Sequence, residues 1–276
     1  MLLEKASIKD LLVVSDMDGT LLTSDMRLLG CNLETIRLFR ALGGHFTVAT
    51  GRVHSSVQMY PDLVEVIDPA ITCGGCVLYD FQKNVAAKST VLQRVVARRA
   101  VRDILERFPA VGIMVMADDM RNYRMSPSRM IEKLADEEKM AYFIRPDEDY
   151  PEEWNKVLFA GPPELLVQVA DYVKNRTYPG VYFVHTSPTY FEMMPKGVSK
   201  ASALHELCGL LGIQMKHTIM IGDYLNDLDI MKQAGHAVAM GNAPVEVQMA
   251  ADEVIATNDQ GGVGQFLYAL IKRYTE

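Results

Sequence analysis

The sequence predicts an α/β protein, a doubly wound parallel sheet into which a smaller α+β domain is inserted. Three observations carry this prediction. Strand-like and helix-like stretches alternate over residues 1–80, and the same alternation returns in residues 190–276. The stretch between them, 81–189, has a different pattern and ends in paired apolar runs across Ser187-Pro188. Alternation builds parallel sheets with helices on both faces, whereas paired runs across a tight turn build antiparallel hairpins. The expected core is therefore residues 1–80 with 190–276, and the expected insert is 81–189.

The elements follow in order. Leu11-Leu12-Val13-Val14 reads as a buried strand, and Leu33, Ile36, Leu38, Phe39 and Leu42 recur at helical spacing up to a stop at Gly43-Gly44. Strands are expected at 46–49 and 70–72. Within the insert, a basic helix over 90–107 precedes a strand at 111–116 and a helix near 127–140. A strand at 156–160, a helix at 163–175 and a hairpin of 181–185 with 189–194 follow. The alternation then resumes with a helix at 199–211, a strand at 218–221, a helix at 225–234 and a strand at 237–240.

Composition narrows the function. The 276 residues are 49% hydrophobic and 23% charged, with a net charge of −7, which argues against a nucleic-acid-binding surface. Arg94, Arg98, Arg99 and Arg102 form a basic cluster, and their helical spacing reads as a solvated helix face. No apolar run approaches the roughly 18 residues that cross a bilayer, and MLLEKASIKD lacks the apolar stretch of a leader. The expectation is a cytoplasmic protein with no membrane or nucleic-acid partner and with its four cysteines reduced. Cys73-Gly74-Gly75-Cys76 has CxxC spacing, but Cys31 and Cys208 supply no second pair for zinc, and no helix opens there for a thioredoxin-type site. Its place between two apolar runs reads as a tight turn.

Polar residues collect where the strands run out. The first strand ends in Asp16-Met17-Asp18-Gly19-Thr20, the second in Thr50-Gly51-Arg52, and the strand at 218–221 in Gly222-Asp223-Tyr224-Leu225-Asn226-Asp227. Lys200 opens the helix that follows Pro195-Lys196-Gly197. Ligands of open parallel sheets bind beyond the carboxyl ends of the strands. Aspartates do cap helices, but three strand ends and a lysine aimed at one edge ask for more than caps. Asp16, Asp18 and Asp223 brought together repel one another unless a hard cation such as Mg²⁺ sits among them. Such a cation also neutralises phosphate oxygens during transfer. An aspartate can attack phosphorus as a nucleophile, with the Thr50 hydroxyl and the Lys200 ammonium holding the other phosphate oxygens.

The set DMDGTLL (16–22), VATGR (48–52), KGVSKASAL (196–204) and GDYLNDLDIM (222–231) resembles the haloacid dehalogenase superfamily of phosphatases. The insert resembles the α+β cap of its Cof-type sugar-phosphate phosphatases. The resemblance implies a Rossmann-like core and Mg²⁺-dependent hydrolysis of a small phosphorylated metabolite. It implies Asp16 as nucleophile and Mg²⁺ ligand, and Asp18 as general acid and base with its backbone carbonyl on the metal. It further implies Thr50, Gly51 and Lys200 around the phosphate and Asp223 completing the metal shell. Asn226 would support the phosphoryl site, and Asp227 would hold a metal-bound water or orient Lys200. Gly74-Gly75 stands where the family commonly has Asn-Gly. Tyr224 stands where Ser or Asn is frequent, which would narrow the entrance.

Two other readings use the same residues. A phosphomutase of the phosphomannomutase type shares the motifs and favours extra cations in the insert, for which Arg121, Arg124 and Arg129 are available. A phospho-aspartate signalling switch also uses Asp, Thr, Lys and Mg²⁺, but lacks a large insert and a carboxylate two residues after the acceptor. Substrate choice is expected from the insert, with Tyr123, Arg124 and His185 as candidates.

Overall fold

A computed structural model describes residues 7–144 and 153–275; residues 1–6, part of the stretch read for a leader, lie outside it. The described residues form two compact units. One gathers the residues up to Gly51, Tyr60–Ala87 and those from Ser199 onward, and the other gathers Arg52–Met59 and Lys88–Val198.

In the first unit the strands are β1 (Leu12–Ser15), β2 (His45–Val48), β3 (Ala70–Thr72), β4 (Val77–Asp80) and β5 (Val85–Ser89). The main sheet adds β11 (Thr218–Gly222), β12 (His236–Met240) and β13 (Glu253–Ile255), in the order β13-β12-β11-β1-β2. Every pairing in it is parallel, with Val13 beside Ile219 on one side and Phe46 on the other. β1 lies inside the sheet between β11 and β2 and is wholly buried, which is why its sequence is a continuous apolar run and not an alternation.

Side chains alternate between the faces of this sheet. Leu12, Val14, Met220 and Ala239 pack against Ala201, Leu204 and Leu207 of the helix Lys200–Leu211. The helices Gly30–Ala41 and Gly262–Thr275 pack on each other and against β2 and β13. Buried Asn32 ties the start of one to the start of the other: its Oδ1 accepts from the Gly264 amide at 2.9 Å, and its Nδ2 donates to the Leu21 carbonyl at 3.2 Å. β3, β4 and β5 form a small separate sheet, joined to the extension of β2 by a parallel bridge between Ala49 and Ile71.

The second unit holds β6 (Gly112–Ala117), β7 (Asn122–Arg124), β8 (Trp154–Ala160), β9 (Val181–Ser187) and β10 (Tyr190–Pro195). They make one antiparallel sheet, β7-β6-β8-β10-β9. The helices Arg94–Arg107 and Pro163–Lys174 bury Ala97, Val101, Ile104, Leu166 and Val169 against Ile113, Val157 and Phe191 of that sheet. Arg94, Arg99 and Arg102 are exposed, as a solvated face requires, while Arg98 is half-buried with its guanidinium 5.2 Å from the Trp154 ring.

The expected boundaries at 80/81 and 189/190 fall instead at 87/88 and 198/199. Sheet partners explain both shifts. β5 joins β4, which keeps the chain in the first unit beyond residue 80. β10 pairs with β8 and β9, which holds 190–195 in the second.

One buried ion pair stands in the second sheet, where Lys156 Nζ donates to Glu192 Oε1 at 2.9 Å with both side chains under 10% exposed. A buried pair adds little net stability, but a single orphaned charge is costly, about 3–5 kcal/mol. Glu192→Leu should therefore destabilise this unit by about that amount, and Lys156→Met/Glu192→Leu should recover most of the loss. Urea unfolding followed by the fluorescence of Trp154, the single tryptophan, reports on this unit. Equal midpoints for the single and double variants would contradict the assignment.

Candidate active site

Four strand ends deliver the site to the carboxyl edge of the parallel sheet. After β1 the chain makes a tight turn in which the Leu21 amide returns to the Asp16 carbonyl at 3.3 Å and the Leu22 amide to that of Met17 at 2.9 Å. Gly19 occupies the left-handed region at φ +74°, and a Cβ there would fall 2.4 Å from Asp223 Oδ2. Glycine is therefore required twice at this position, by backbone conformation and by space. The hydroxyl of buried Thr20 donates to Asp223 Oδ1 at 2.7 Å, joining the turn after β1 to the end of β11.

Lys200 is the hub. Its Nζ donates to Asp16 Oδ1 and to Asp227 Oδ1, each at 2.8 Å, and all three side chains are buried. Ser199 caps the helix that presents it: its Oγ accepts from the Ser202 amide at 3.2 Å, and Ser202 Oγ accepts from the Ser199 amide at 2.9 Å. The second oxygen of Asp227 accepts from the amides of Asp223 and Tyr224 at 3.3 and 3.4 Å. Asp227 thus fixes the lysine with one oxygen and the loop after β11 with the other.

Thr50 is buried at the end of the second strand, its amide donating to the Ile71 carbonyl at 2.8 Å and its carbonyl accepting from the Gly74 amide at 3.0 Å. Gly51 beside it is exposed. The Cys73–Gly75 turn lies between β3 and β4, and Cys73 and Cys76 are buried and form no disulfide. Gly75 has φ +106°, and a Cβ there would fall 2.2 Å from the Ser199 carbonyl oxygen. The turn therefore abuts both the segment of Thr50 and the segment of Lys200.

One carboxylate oxygen from each of Asp16, Asp223 and Asp227 lies within 4.8 Å of the others, a hard oxygen donor set suited to a divalent cation. Asp18 is half-buried and stands outside this trio, though its charge acts on both Asp16 and Asp223. Burial first, and the charge of Asp227 second, push the Asp16 carboxyl well above the usual carboxylate range against the pull of Lys200. Burial also raises Asp223, to about 6, although the Thr20 hydroxyl favours its ionised form. Burial alone would lower the Lys200 ammonium; the charges of Asp16 and Asp227 more than offset it, and its pKa is raised. Three carboxylates against one ammonium leave the cluster short of positive charge.

The remaining residues divide. Asn226 is exposed in the loop after β11. Tyr123 is fully buried in the core of the second unit, with its hydroxyl on Asp119 Oδ2 at 2.5 Å. Arg124 pairs with Glu132 at 2.6 Å, Arg121 lies over the Phe143 ring, and His185 is exposed beside Phe191. Two residues escaped the sequence reading. Thr20 was visible as the end of the DMDGT run. Asn242 follows a fourth strand end, β12, and its Nδ2 donates to the Gly19 carbonyl at 2.8 Å while its Oδ1 accepts from the Asn258 amide at 3.0 Å.

Fold and cluster define a class, an α/β protein of two units with a buried lysine–carboxylate cluster at the carboxyl edge of its parallel sheet. The chain belongs to the haloacid dehalogenase-like hydrolases, whose family profile matches residues 13–267, and it is a phosphoric monoester hydrolase. It is 25% identical over 265 residues to the pyridoxal phosphate phosphatase YbhA of Escherichia coli, covering 93% of this chain and 97% of the relative. It is 25% identical over 268 residues to the 5-amino-6-(5-phospho-D-ribitylamino)uracil phosphatase YitU of Bacillus subtilis, covering 94% and 97%. A haloacid dehalogenase-like hydrolase from Bacteroides thetaiotaomicron superposes with a TM-score of 0.84 at 28% identity, over 94% of this chain and 99% of the other.

The raised Asp223 yields a prediction for the metal-free protein. Its carboxyl titrates near 3.8 when unfolded and near 6 when folded. The folded state thus binds the extra proton between those values, and its stability falls as pH rises through that window. In EDTA, Asp223→Asn should melt above the parent at pH 7, with the difference narrowing at pH 5. A difference independent of pH would show that burial does not raise this carboxyl.

Proposed function

We propose that this enzyme hydrolyses small phosphorylated metabolites in the cytosol through an aspartyl-phosphate on Asp16, with Mg²⁺ held by the Asp16 and Asp223 carboxylates and the Asp18 backbone carbonyl. The carrying observation is the cluster itself: three carboxylates within 4.8 Å of one another, two of them bridged by a buried lysine. Its donors are all oxygens, and its excess of negative charge fits a hard divalent ion. When bound, Mg²⁺ supplies the counter-charge that lets a phosphate dianion approach carboxylates.

The protein groups then have distinct tasks. Lys200 takes one oxygen of Asp16 and so leaves the other to attack phosphorus. The new bond joins that oxygen to phosphorus, and the bond to the ester oxygen breaks. Asp18, half-buried two residues after Asp16, gives the departing alkoxide its proton and later takes one from the water that attacks the aspartyl-phosphate. That second attack releases inorganic phosphate and regenerates the Asp16 carboxylate. The Thr50 hydroxyl, the Gly51 amide, the Lys200 ammonium and the Asn226 amide hold phosphate oxygens. Asp227 positions Lys200, the task to which its two oxygens are already committed.

Relatives named for pyridoxal phosphate and for a ribitylaminouracil phosphate support a small metabolite ester as substrate. A phosphomutase has less support, since Arg121 and Arg124 are already engaged by Phe143 and Glu132.

A panel of phosphate esters with purified protein tests the reading. Turnover should vanish in EDTA and return with Mg²⁺, and full activity in exhaustively chelated protein would refute the metal assignment. Asp16→Asn should lose nearly all turnover while remaining folded. A residual rate within tenfold of the parent, about 1.4 kcal/mol of barrier, would remove Asp16 from the role of nucleophile.

Asp18→Asn separates the two half-reactions. General acid–base help is worth about 10²–10⁴-fold. With p-nitrophenyl phosphate, whose leaving group needs no proton, dephosphorylation should suffer more than phosphorylation. Quenched samples of this variant should show phosphorylated protein by intact mass, and Asp16→Asn should show none. Parental turnover of an alkyl phosphate by Asp18→Asn would exclude it as the acid.

A further inference from the structure

The loop after β11 carries an apolar feature that the proposed chemistry does not use. The chain leaves the strand at half-buried Asp223, passes through exposed Tyr224, Leu225 and Asn226, and returns to fully buried Asp227. Tyr224 is 46% exposed and Leu225 43% exposed, at an edge otherwise made of aspartates, threonine, lysine and asparagine. Two consecutive part-exposed apolar side chains there offer a ligand of the cluster contact area that its charged residues do not.

The loop is held in place. The amides of Asp223 and Tyr224 both reach Asp227 Oδ2, and the Asp227 amide returns to the Tyr224 carbonyl at 3.0 Å. Gly222 is closed in from the other side, since a Cβ there would fall 2.8 Å from that of Asp227. Tyr224 is therefore presented by backbone that three hydrogen bonds tie to Asp227.

We infer that Tyr224 and Leu225 form a fixed apolar ledge selecting phosphate esters whose alcohol portion carries a flat aromatic or heteroaromatic ring. The inference rests on the proposed attack of Asp16 on phosphorus. Asp16, Lys200 and Asp227 are buried and close the inner side of the cluster, so the alcohol portion extends to the solvent side. Tyr224 directly follows Asp223, and its side chain has the reach to lie alongside that portion. A tyrosine face gains from a stacked ring what it does not gain from a polyhydroxylated chain. Aromatic contacts of this kind correspond to about three- to tenfold in affinity.

Pyridoxamine 5′-phosphate and glycerol 3-phosphate share a primary-alkyl leaving group and differ in the ring, so their ratio isolates it. Tyr224→Ser should lose about tenfold in kcat/KM for the pyridoxamine ester, mostly through KM, with glycerol 3-phosphate almost unchanged. Tyr224→Phe should keep the parental ratio, and Leu225→Ala should fall between. An equal loss on both esters, or no loss, overturns the ledge. A second readout is independent of turnover: the fluorescence of pyridoxamine 5′-phosphate titrated with Asp16→Asn and with Asp16→Asn/Tyr224→Ser. If the parent hydrolyses neither ester, the proposed function fails. Weaker binding by the double variant would then still establish the ledge, and equal binding would overturn it.

Discussion

Lys200 holds together parts of the chain that sequence keeps far apart. Its ammonium joins Asp16, 184 positions away, to Asp227, 27 positions on. An insert of about a hundred residues separates the segments that meet at this one nitrogen. Removing an ammonium and two carboxylates from water is costly unless geometry is tight and every oxygen is used. Asp227 meets both conditions, because it spends its second oxygen on two loop amides, whereas Asp16 is fixed by a strand bonded on both sides and has one oxygen on the lysine. The pairing fixes where β1 and β11 end relative to each other, and with that where Asp223 and Thr20 meet.

Such convergence needs room, and glycine provides it. At Gly19 the turn passes so close to Asp223 that any side chain would displace the carboxylate, and at Gly75 the turn passes equally close to the Ser199 carbonyl. The family's common Asn-Gly pair is Gly74-Gly75 in this chain, and the glycine that makes the close approach is the one retained. The turn after β1 is tied to the end of β11 through Thr20 and to the segment after β12 through Asn242, so the edge is prepared before any ligand arrives.

Much of this was legible in the sequence because the central strands are buried on both faces. A run such as Leu11 to Val14 that stops at an aspartate marks a strand and its end at once. What the sequence hid were choices of partner. Tyr190–Pro195 is apolar enough for either unit, and only its antiparallel pairing with β8 and β9 assigns it. Tyr123 looked available as an exposed recognition residue in the insert, yet it packs as core with its hydroxyl satisfied by Asp119 four positions back. Thr20 and Asn242 were not seen as site residues because the bonds that tie them to Asp223 and Gly19 span more than 200 positions, and no local pattern encodes such contacts.

Among the described residues, two lysines are buried against carboxylates, and their difference explains why only one is proposed as a reaction centre. Lys156 and Glu192 balance one to one in the middle of an antiparallel sheet, with no excess charge for a ligand to answer. Around Lys200 three carboxylates crowd one ammonium, and burial lifts two of them above their ordinary range. That imbalance weakens the empty cluster and makes it attractive to a cation, so affinity and instability have one origin. A cation that restores the balance would favour the ionised form of Asp16, the form that the proposed attack on phosphorus requires. In the proposed reaction, the shortage of positive charge that disfavours the metal-free cluster is thus also what prepares the nucleophile.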